Sequence, residues 1–291
     1  MTIKKRHIFV FLLPTLILFC LIFLWPLVQL ITTSSTSWIV GQQPVFNGFD
    51  NYIQLFTDSP NFLQSMLNTL FWILLQTTVH VIIGVLLALI LAQKPFYWRF
   101  ARTVYMIPNI ISSAALAMMF VCILDPGFGA VNGLIRLITG NPTFQLYWFM
   151  NPNTAFGSIT LTWLPYAATI TLLVLTEILS IDSSITEAAI VDGANRLQLN
   201  IRIILPLTRN IIGTCEILAA TSMLQRFDTI MMTTKGGPGN LTMNLPIFIY
   251  NTGLVENNLG RANTAGVLLL IIGIMFVLMI RRIFRMGEMY L

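Results

Sequence analysis

The chain has 291 residues and a formal net charge of +5, with 56% hydrophobic and only 9% charged residues. Soluble globular domains carry about 25% charged residues, so this composition excludes a soluble domain and points to a protein embedded in a bilayer. The basic residues are scattered, with no cationic face interleaved with aromatics, which argues against a nucleic-acid partner.

A bilayer core takes about 20 apolar residues per helix. Six stretches supply them, at 8–31, 65–92, 103–124, 156–180, 211–234 and 262–280. A spanning backbone must satisfy its own hydrogen bonds, and these long continuous runs lack the alternation of barrel strands. The predicted fold class is therefore an all-α integral membrane protein, one transmembrane domain over 1–291 with six transmembrane helices and membrane lipids around them. The first run follows Lys4, Lys5 and Arg6 and stays free of charge from Ile8 to Phe49. That is too long for the apolar part of a signal peptide and no Ala-x-Ala site follows, so a retained first helix is expected.

Beyond it, Asn47-Gly48 is a turn signal, and a short interfacial helix is expected over 53–56, with Asn68-Thr69 opening the second span. Residues 94–102 mix Lys, Arg and aromatics as an interfacial anchor does. The long segment 125–155 carries Pro126-Gly127, Gly129 and Asn151-Pro152, with helical spacing of apolar residues over 130–138. The fourth span contains Thr160, Thr162, Trp163, Tyr166 and Thr169, with a kink expected at Pro165.

The stretch at about 181–210 is the most polar part of the chain. Ser183 or Ser184 is placed to cap a helix, with Glu187 at capping-box spacing from Ser184. Asp192-Gly193 permits a sharp bend because glycine tolerates left-handed backbone. A second piece, with Leu197, Ile201, Ile204 and Leu205 at helical spacing, runs into Pro206, where a helix breaks or restarts. The fifth span then holds Glu216, Thr221, Ser222, Gln225, Arg226 and Asp228.

Charge orients the spans. With the N-terminus inside, the inner segments hold Lys4, Lys5, Arg6, Lys94, Arg99, Arg102, Arg196, Arg202, Arg209, Arg281, Arg282 and Arg285, and the outer ones only Arg136, Lys235 and Arg261. The bias places both termini and the polar loop in the cytoplasm. Cys20, Cys122 and Cys215 lack C-x-x-C spacing, and His7 and His80 stand alone, so neither a metal site nor another cofactor is expected. No phosphate-binding G-x-x-x-x-G-K-[ST] occurs; if ATP drives this protein, another chain binds it.

Glu187-Ala188-Ala189, Gly193 and then Ile203-Ile204-Leu205-Pro206 match E-A-A-x3-G-x9-I-x-L-P, which resembles the EAA loop of ABC importer permeases. The resemblance narrows with Phe227-Asp228, Thr234-Lys235-Gly236-Gly237-Pro238 and Thr242, similar to the F-D…T-x-G-G-P…T pattern of the carbohydrate-uptake permeases. Phe46-Asn47-Gly48 with Asn51-Tyr52, Asn68-Thr69, and Asp192-Gly193-Ala194 are similar to further signatures of that group. Gln225-Arg226 departs from the small or amide residues often found before the Phe. The resemblance implies a type I ABC importer permease fold in a prokaryotic cell membrane, and a non-enzymatic subunit working with a second, usually different, homologous permease. It also implies an ATPase dimer below and an extracytoplasmic sugar-binding protein above. Docking to the ATPase would involve Glu187, Ala188, Ala189, Asp192, Gly193, Leu205 and Pro206.

In that family sugar contacts come from the helices flanking the loop. Polar groups within a bilayer are functional candidates by default, and sugars suit aromatic faces with hydrogen-bonding neighbours. Trp163, Tyr166, Ser222, Gln225, Arg226 and Asp228 are therefore the candidate substrate path. Thr160 and Thr169 are expected only to bond back to their own helix, and Glu216 to pair with an inner arginine. Ser222 and Met223 are expected to share one helical side with Arg226, whose role lies either in the cavity or at the interface between permeases. Asp228 is either solvated or paired across that interface. Two other classes are weaker. An ion-coupled secondary transporter calls for inverted repeats and broken helices with paired acids, and the sequence shows neither. An intramembrane enzyme calls for a nucleophile–base or metal constellation. Within the importer class, a polyol-like substrate such as glycerol 3-phosphate is the alternative to a sugar.

Overall fold

The computed structural model describes residues 5–93 and 96–286; Lys4 and Lys94, two of the cations counted above, lie outside the described residues. The helices, in chain order, are α1 (Phe11–Ser34), α2 (Asp50–Thr57), α3 (Pro60–Ala92), α4 (Trp98–Ile110), α5 (Ser113–Ile123), α6 (Ala130–Thr139) and α7 (Ala155–Leu161). They continue with α8 (Ala168–Ser180), α9 (Ser183–Val191), α10 (Arg196–Leu207), α11 (Arg209–Leu224), α12 (Asp228–Thr233), α13 (Leu245–Val255) and α14 (Leu259–Ile283). The strands among the described residues are β1 (Thr36–Ser37) and β2 (Val45–Phe46), paired antiparallel.

Helices α1, α3 and α14 are each long and apolar enough to cross a membrane. Three further helix pairs pass the same length and composition test only when taken together across a sharp bend, α4 with α5 at 102°, α8 with α9 at 74°, and α10 with α11 at 70°; counting each pair once gives six. The third, fourth and fifth apolar stretches are not the continuous helices expected from apolar length: they break after Ile110, Leu161 and Leu224. Hydropathy averages over a window and does not register a break of a few residues. Local chemistry does: Pro108 lies inside α4, Ser112 caps α5, and Pro165 sits between α7 and α8.

The chain folds into two compact units, Met1–Leu63 with Phe248–Ile271 and Gln64–Ile247 with Ile272–Leu291. In the first unit, α2 begins three residues earlier than expected, directly after the Asn47-Gly48 turn. Asn51 donates through Nδ2 to the carbonyls of Ser34 (3.0 Å) and Thr36 (2.9 Å), and the Tyr52 hydroxyl meets Ser34 Oγ at 2.8 Å. Thr264 Oγ1 donates to the same Ser34 carbonyl at 2.8 Å. Gly260 packs so close that a Cβ there would lie 2.2 Å from the Thr36 carbonyl oxygen. The Phe46–Tyr52 signature is a clasp around the end of α1.

In the second unit α3 lies against α8. A Cβ at Gly84 would lie 2.6 Å from Ile170, and Thr171 Oγ1 reaches the Gly84 carbonyl at 3.1 Å. A small residue allows this approach, as between helices in membranes generally. Val81, Ala88, Leu89, Val174, Leu175 and Ile204 fill the core around that contact. Asn68 and Thr69 do not open a span, because α3 starts at Pro60. Asn68 Nδ2 instead donates to the carbonyls of Leu241 (2.9 Å) and Met243 (2.7 Å), and Thr69 Oγ1 accepts from the Leu245 amide (2.9 Å). The Thr234 and Thr242 hydroxyls meet at 2.7 Å, and Gly236 takes φ +93°. The T-x-G-G-P…T signature is therefore a hydrogen-bonded turn in which Thr234, Gly236 and Thr242 are buried.

Candidate functional site: a cavity where broken helices meet

Breaking a helix in a bilayer strands backbone groups that water cannot satisfy, so such breaks persist only where other groups take over. The breaks after α7 and after α11 have their substitutes. Tyr105 Oη donates to the Pro165 carbonyl (2.6 Å) and accepts from the Ala167 amide (2.9 Å). His80 Nδ1 lies 2.8 Å from the Leu164 carbonyl; a carbonyl only accepts, so Nδ1 carries the proton. Asn244, fully buried, donates to the Arg226 carbonyl at 2.6 Å.

The breaks converge on one cavity of about 390 Å³, within the roughly 300–1,000 Å³ usual for small-molecule sites. Asn109 and Ser113 reach it from the α4–α5 break, Trp163 and Tyr166 from the α7–α8 break, and Ser222 and Arg226 from the end of α11. Gln76, His80 and Thr169 complete its polar wall, and Ile170, Leu218 and Ala219 contribute apolar surface. The Arg226 guanidinium carbon stands 5.1 Å from the centre of the Trp163 ring, in cation–π range. Buried polar atoms without any partner include Gln76 Oε1, Trp163 Nε1 and Arg226 Nε, all from residues of this wall.

Four of the six substrate-path candidates, Trp163, Tyr166, Ser222 and Arg226, come together here. Gln225 and Asp228 are exposed and do not line the cavity; Asp228 Oδ2 accepts from Ser113 Oγ at 3.0 Å. The helical side expected to join Ser222, Met223 and Arg226 does not exist, because α11 ends at Leu224 and Met223 is fully buried. Thr160 bonds back to the Phe156 carbonyl at 2.8 Å as expected, and also accepts from Trp72 Nε1 at 2.8 Å. Thr169 departs from expectation and accepts from Asn109 Nδ2.

Sequence reasoning missed Gln76, His80, Asn109 and Ser113. A signal existed for the first two. They stand four apart inside an apolar run, so they share a helix face, and they bound a π-helical turn, Gln76–His80, a feature common at functional sites.

The second candidate element is the loop joining α8 to α11. Asp182, not a serine, caps α9: its Oδ1 accepts from the Ser184 amide at 2.9 Å, and that bond holds the exposed carboxyl below the usual aspartate range. Asp182 precedes the two serines, so it occupies the position from which a side chain reaches the first free amides. At the far end the amides of Gly193 and Ala194 bond to the carbonyls of Ile190 (3.0 Å) and Ala189 (2.9 Å). This is a Schellman ending, and it needs the left-handed backbone that Gly193 supplies at φ +85°. Asn195 and Gln198 then form a reciprocal capping box that starts α10. Arg196 Nη1 ties α10 to Gln93 Oε1 at 2.9 Å. Glu187, Ala188, Asp192, Gly193 and Pro206 are exposed, Leu205 is half-buried, and Ala189 is turned into the fold. Around them Val191 (86%) and Leu197 (67%) present apolar side chains to solvent. Among the described residues no three His, Cys, Asp or Glu side chains gather as metal ligands.

Residues 80–286 match the family model described as "Binding-protein-dependent transport system inner membrane component". The chain is 31% identical to the sulfoquinovosyl glycerol transport system permease protein of Agrobacterium fabrum, over 94% of this chain and 88% of that one. It is 32% identical to the multiple sugar-binding transport system permease protein of Streptococcus mutans, over 93% of each. A crystal structure of a bacterial alginate ABC transporter, in complex with an alginate pentasaccharide-bound periplasmic protein, contains a chain that superposes with a TM-score of 0.83. That chain is 25% identical over 98% of this chain and 97% of its own length.

Proposed function

We propose, for a chain that belongs to the family of inner membrane components of binding-protein-dependent transport systems, a role as the sugar-conducting subunit of an ATP-driven importer. As an ABC permease it lies in the membrane and is not itself an enzyme; ATP is hydrolysed on a separate chain. Its cargo is a sugar or oligosaccharide, as the printed names of the relatives support. The observation that carries the reading is the convergence of broken helices on one cavity walled by Trp163, Tyr166, Gln76, Asn109 and Arg226. Aromatic faces take the apolar side of a sugar ring, and amide and guanidinium groups take its hydroxyls. Family membership sets aside the ion-coupled transporter. Broken helices, expected only of that class, occur here without paired acids among the residues lining the cavity.

The whole chain works as one permease domain beside a second homologous permease of different sequence. The conducting path runs past Trp163, Tyr166, Ser222 and Arg226, with Gln225 and Asp228 at its margin. An ATPase pair seats against the bend formed by Glu187, Ala188, Ala189, Asp192, Gly193, Leu205 and Pro206, whose exposed apolar neighbours suit a protein surface. The loop and both termini are cytoplasmic, as the charge bias supports, and a sugar-loaded binding protein delivers from the other side. The test is uptake by proteoliposomes holding this chain with its co-purifying permease and ATPase, supplied with binding protein and labelled sugars. Accumulation that requires ATP inside the vesicles is expected. An intact, ATP-hydrolysing complex that accumulates no sugar overturns the reading.

A further inference from the structure

We propose that the Arg226 guanidinium receives an anionic group of the substrate, so that the sugar carried is an acidic one bearing a carboxylate or a phosphate ester. The proposal rests on the cavity being the sugar path.

Arginine stays charged at any accessible pH, and Arg226 is half-buried; a cation partly withdrawn from water calls for a compensating charge or a full set of hydrogen bonds. Arg226 has neither. No carboxylate among the described residues pairs with it, its guanidinium donates to none of them, and its Nε is shut off from solvent without a partner. The wall of the cavity contains no Asp or Glu. The acid nearest in sequence, Asp228, is exposed and accepts from Ser113. The Trp163 ring at 5.1 Å attracts the cation but does not neutralise it.

The guanidinium is also held in place. Asn244 fixes its backbone carbonyl, and the Trp163 ring lies against the side chain. Such a group is preorganised for an anion that offers two oxygens, carboxylate or phosphate, which arginine grips through parallel N–H bonds. Beside it, Trp163 Nε1 is a donor and Gln76 Oε1 an acceptor, both buried and unpartnered. A neutral sugar would leave the charge uncompensated. A sugar with one anionic substituent compensates it. The rival account gives Arg226 an acidic partner on the second permease.

The experiment uses the complete complex of this chain, its partner permease and the ATPase in nanodiscs. It is incubated with three pools at equal concentration, and the retained sugar is identified by native mass spectrometry. The pools are neutral malto- and cello-oligosaccharides, uronic-acid oligosaccharides from alginate and pectin digests, and sugar phosphates. Retention from the second or third pool is expected, and which of the two tells carboxylate from phosphate. Arg226→Gln is expected to weaken that retention about tenfold or more, equal to about 1.4 kcal/mol, with Arg226→Lys recovering part of it and the complex intact in both. Retention of neutral sugars alone overturns the anionic substrate and leaves the sugar permease standing. Retention from no pool overturns both. Dissociation of the two permeases in Arg226→Gln, with sugar retention per remaining complex unchanged, assigns Arg226 to the subunit contact and overturns the proposal.

Discussion

The cavity and the coupling loop are both made by interrupting helices, and they differ in what the interruption leaves open. In the loop every turn closes on itself: Asp182 caps α9, Gly193 and Ala194 end it, and Asn195 with Gln198 starts α10. Its unmet demand is apolar, with Val191 and Leu197 standing in solvent. In the cavity the backbone is also settled, by Tyr105, His80 and Asn244. There the unmet demand is polar and buried, at Gln76, Trp163 and Arg226. An exposed apolar surface asks for a protein partner, whereas buried unpartnered polar atoms ask for a polar ligand. One device thus suits both proposed roles, docking and cargo binding, and the side chains left unsatisfied tell the two apart.

The largest expected effect falls on the loop. Gly193→Pro imposes φ near −65° where the chain needs +85°, and it removes the amide that bonds to Ile190. The spans lie elsewhere, so the protein should reach the membrane in normal amount while ATP-driven uptake and ATPase co-purification are nearly abolished. Normal uptake in that variant would remove the loop from the coupling path. A Cβ at this position meets nothing within 4 Å, so the requirement is backbone conformation and not space.

A sharper contrast comes from two buried tryptophans. Trp72 donates to Thr160, whereas Trp163 Nε1 has no partner. Trp72→Phe loses a made bond and should lower the stability of the complex by about 1 kcal/mol, with uptake per folded complex close to normal. Trp163→Phe removes an unsatisfied donor and should leave thermal stability unchanged or slightly raised, with sugar retention falling several-fold. Melting temperature and uptake measured together decide it; the same pattern in both variants would mean that the unpaired indole is not a ligand group.

The smallest effect concerns Asp182. The hydrogen bond from the Ser184 amide holds its carboxyl below the usual aspartate range, so the cap strengthens the fold above the ordinary aspartate pKa and is lost as pH falls through the lowered one. Hydrogen exchange of residues 183–191 should be flat, after correction for intrinsic rate, across neutral pH and should speed up only below about pH 4. An increase between pH 8 and 6 would point to a different titrating group.

Much of this was legible in the sequence because it depends on local rules. Apolar length gave the spans, and the helix Ala130–Thr139 follows from periodicity alone. Gly193 could be placed at a bend because only glycine takes a left-handed turn without strain. Other features turned on partners far along the chain. The Gly-Gly-Pro and Asn-Thr signatures carry recognition value, yet Asn68 holds a turn some 175 residues away. Arg226 was visible as a costly cation, but its geometry was not, because nothing local said that α11 stops at Leu224. Gln76 and His80 were passed over because a single amide and a single imidazole in an apolar run look like isolated defects until a wall assembles around them.

The sequence by itself determined that this chain lives in a bilayer and that it is a permease, and it singled out the loop proposed to take up its drive. These follow from hydropathy, which sums over neighbours, and from a loop whose residues are consecutive. Only the tertiary structure decided where cargo would sit. That cavity is walled by residues from Gln76 to Arg226, and their meeting depends on breaks whose freed carbonyls are satisfied by side chains from other helices. A hydrogen bond between distant segments leaves no trace in either segment's own pattern.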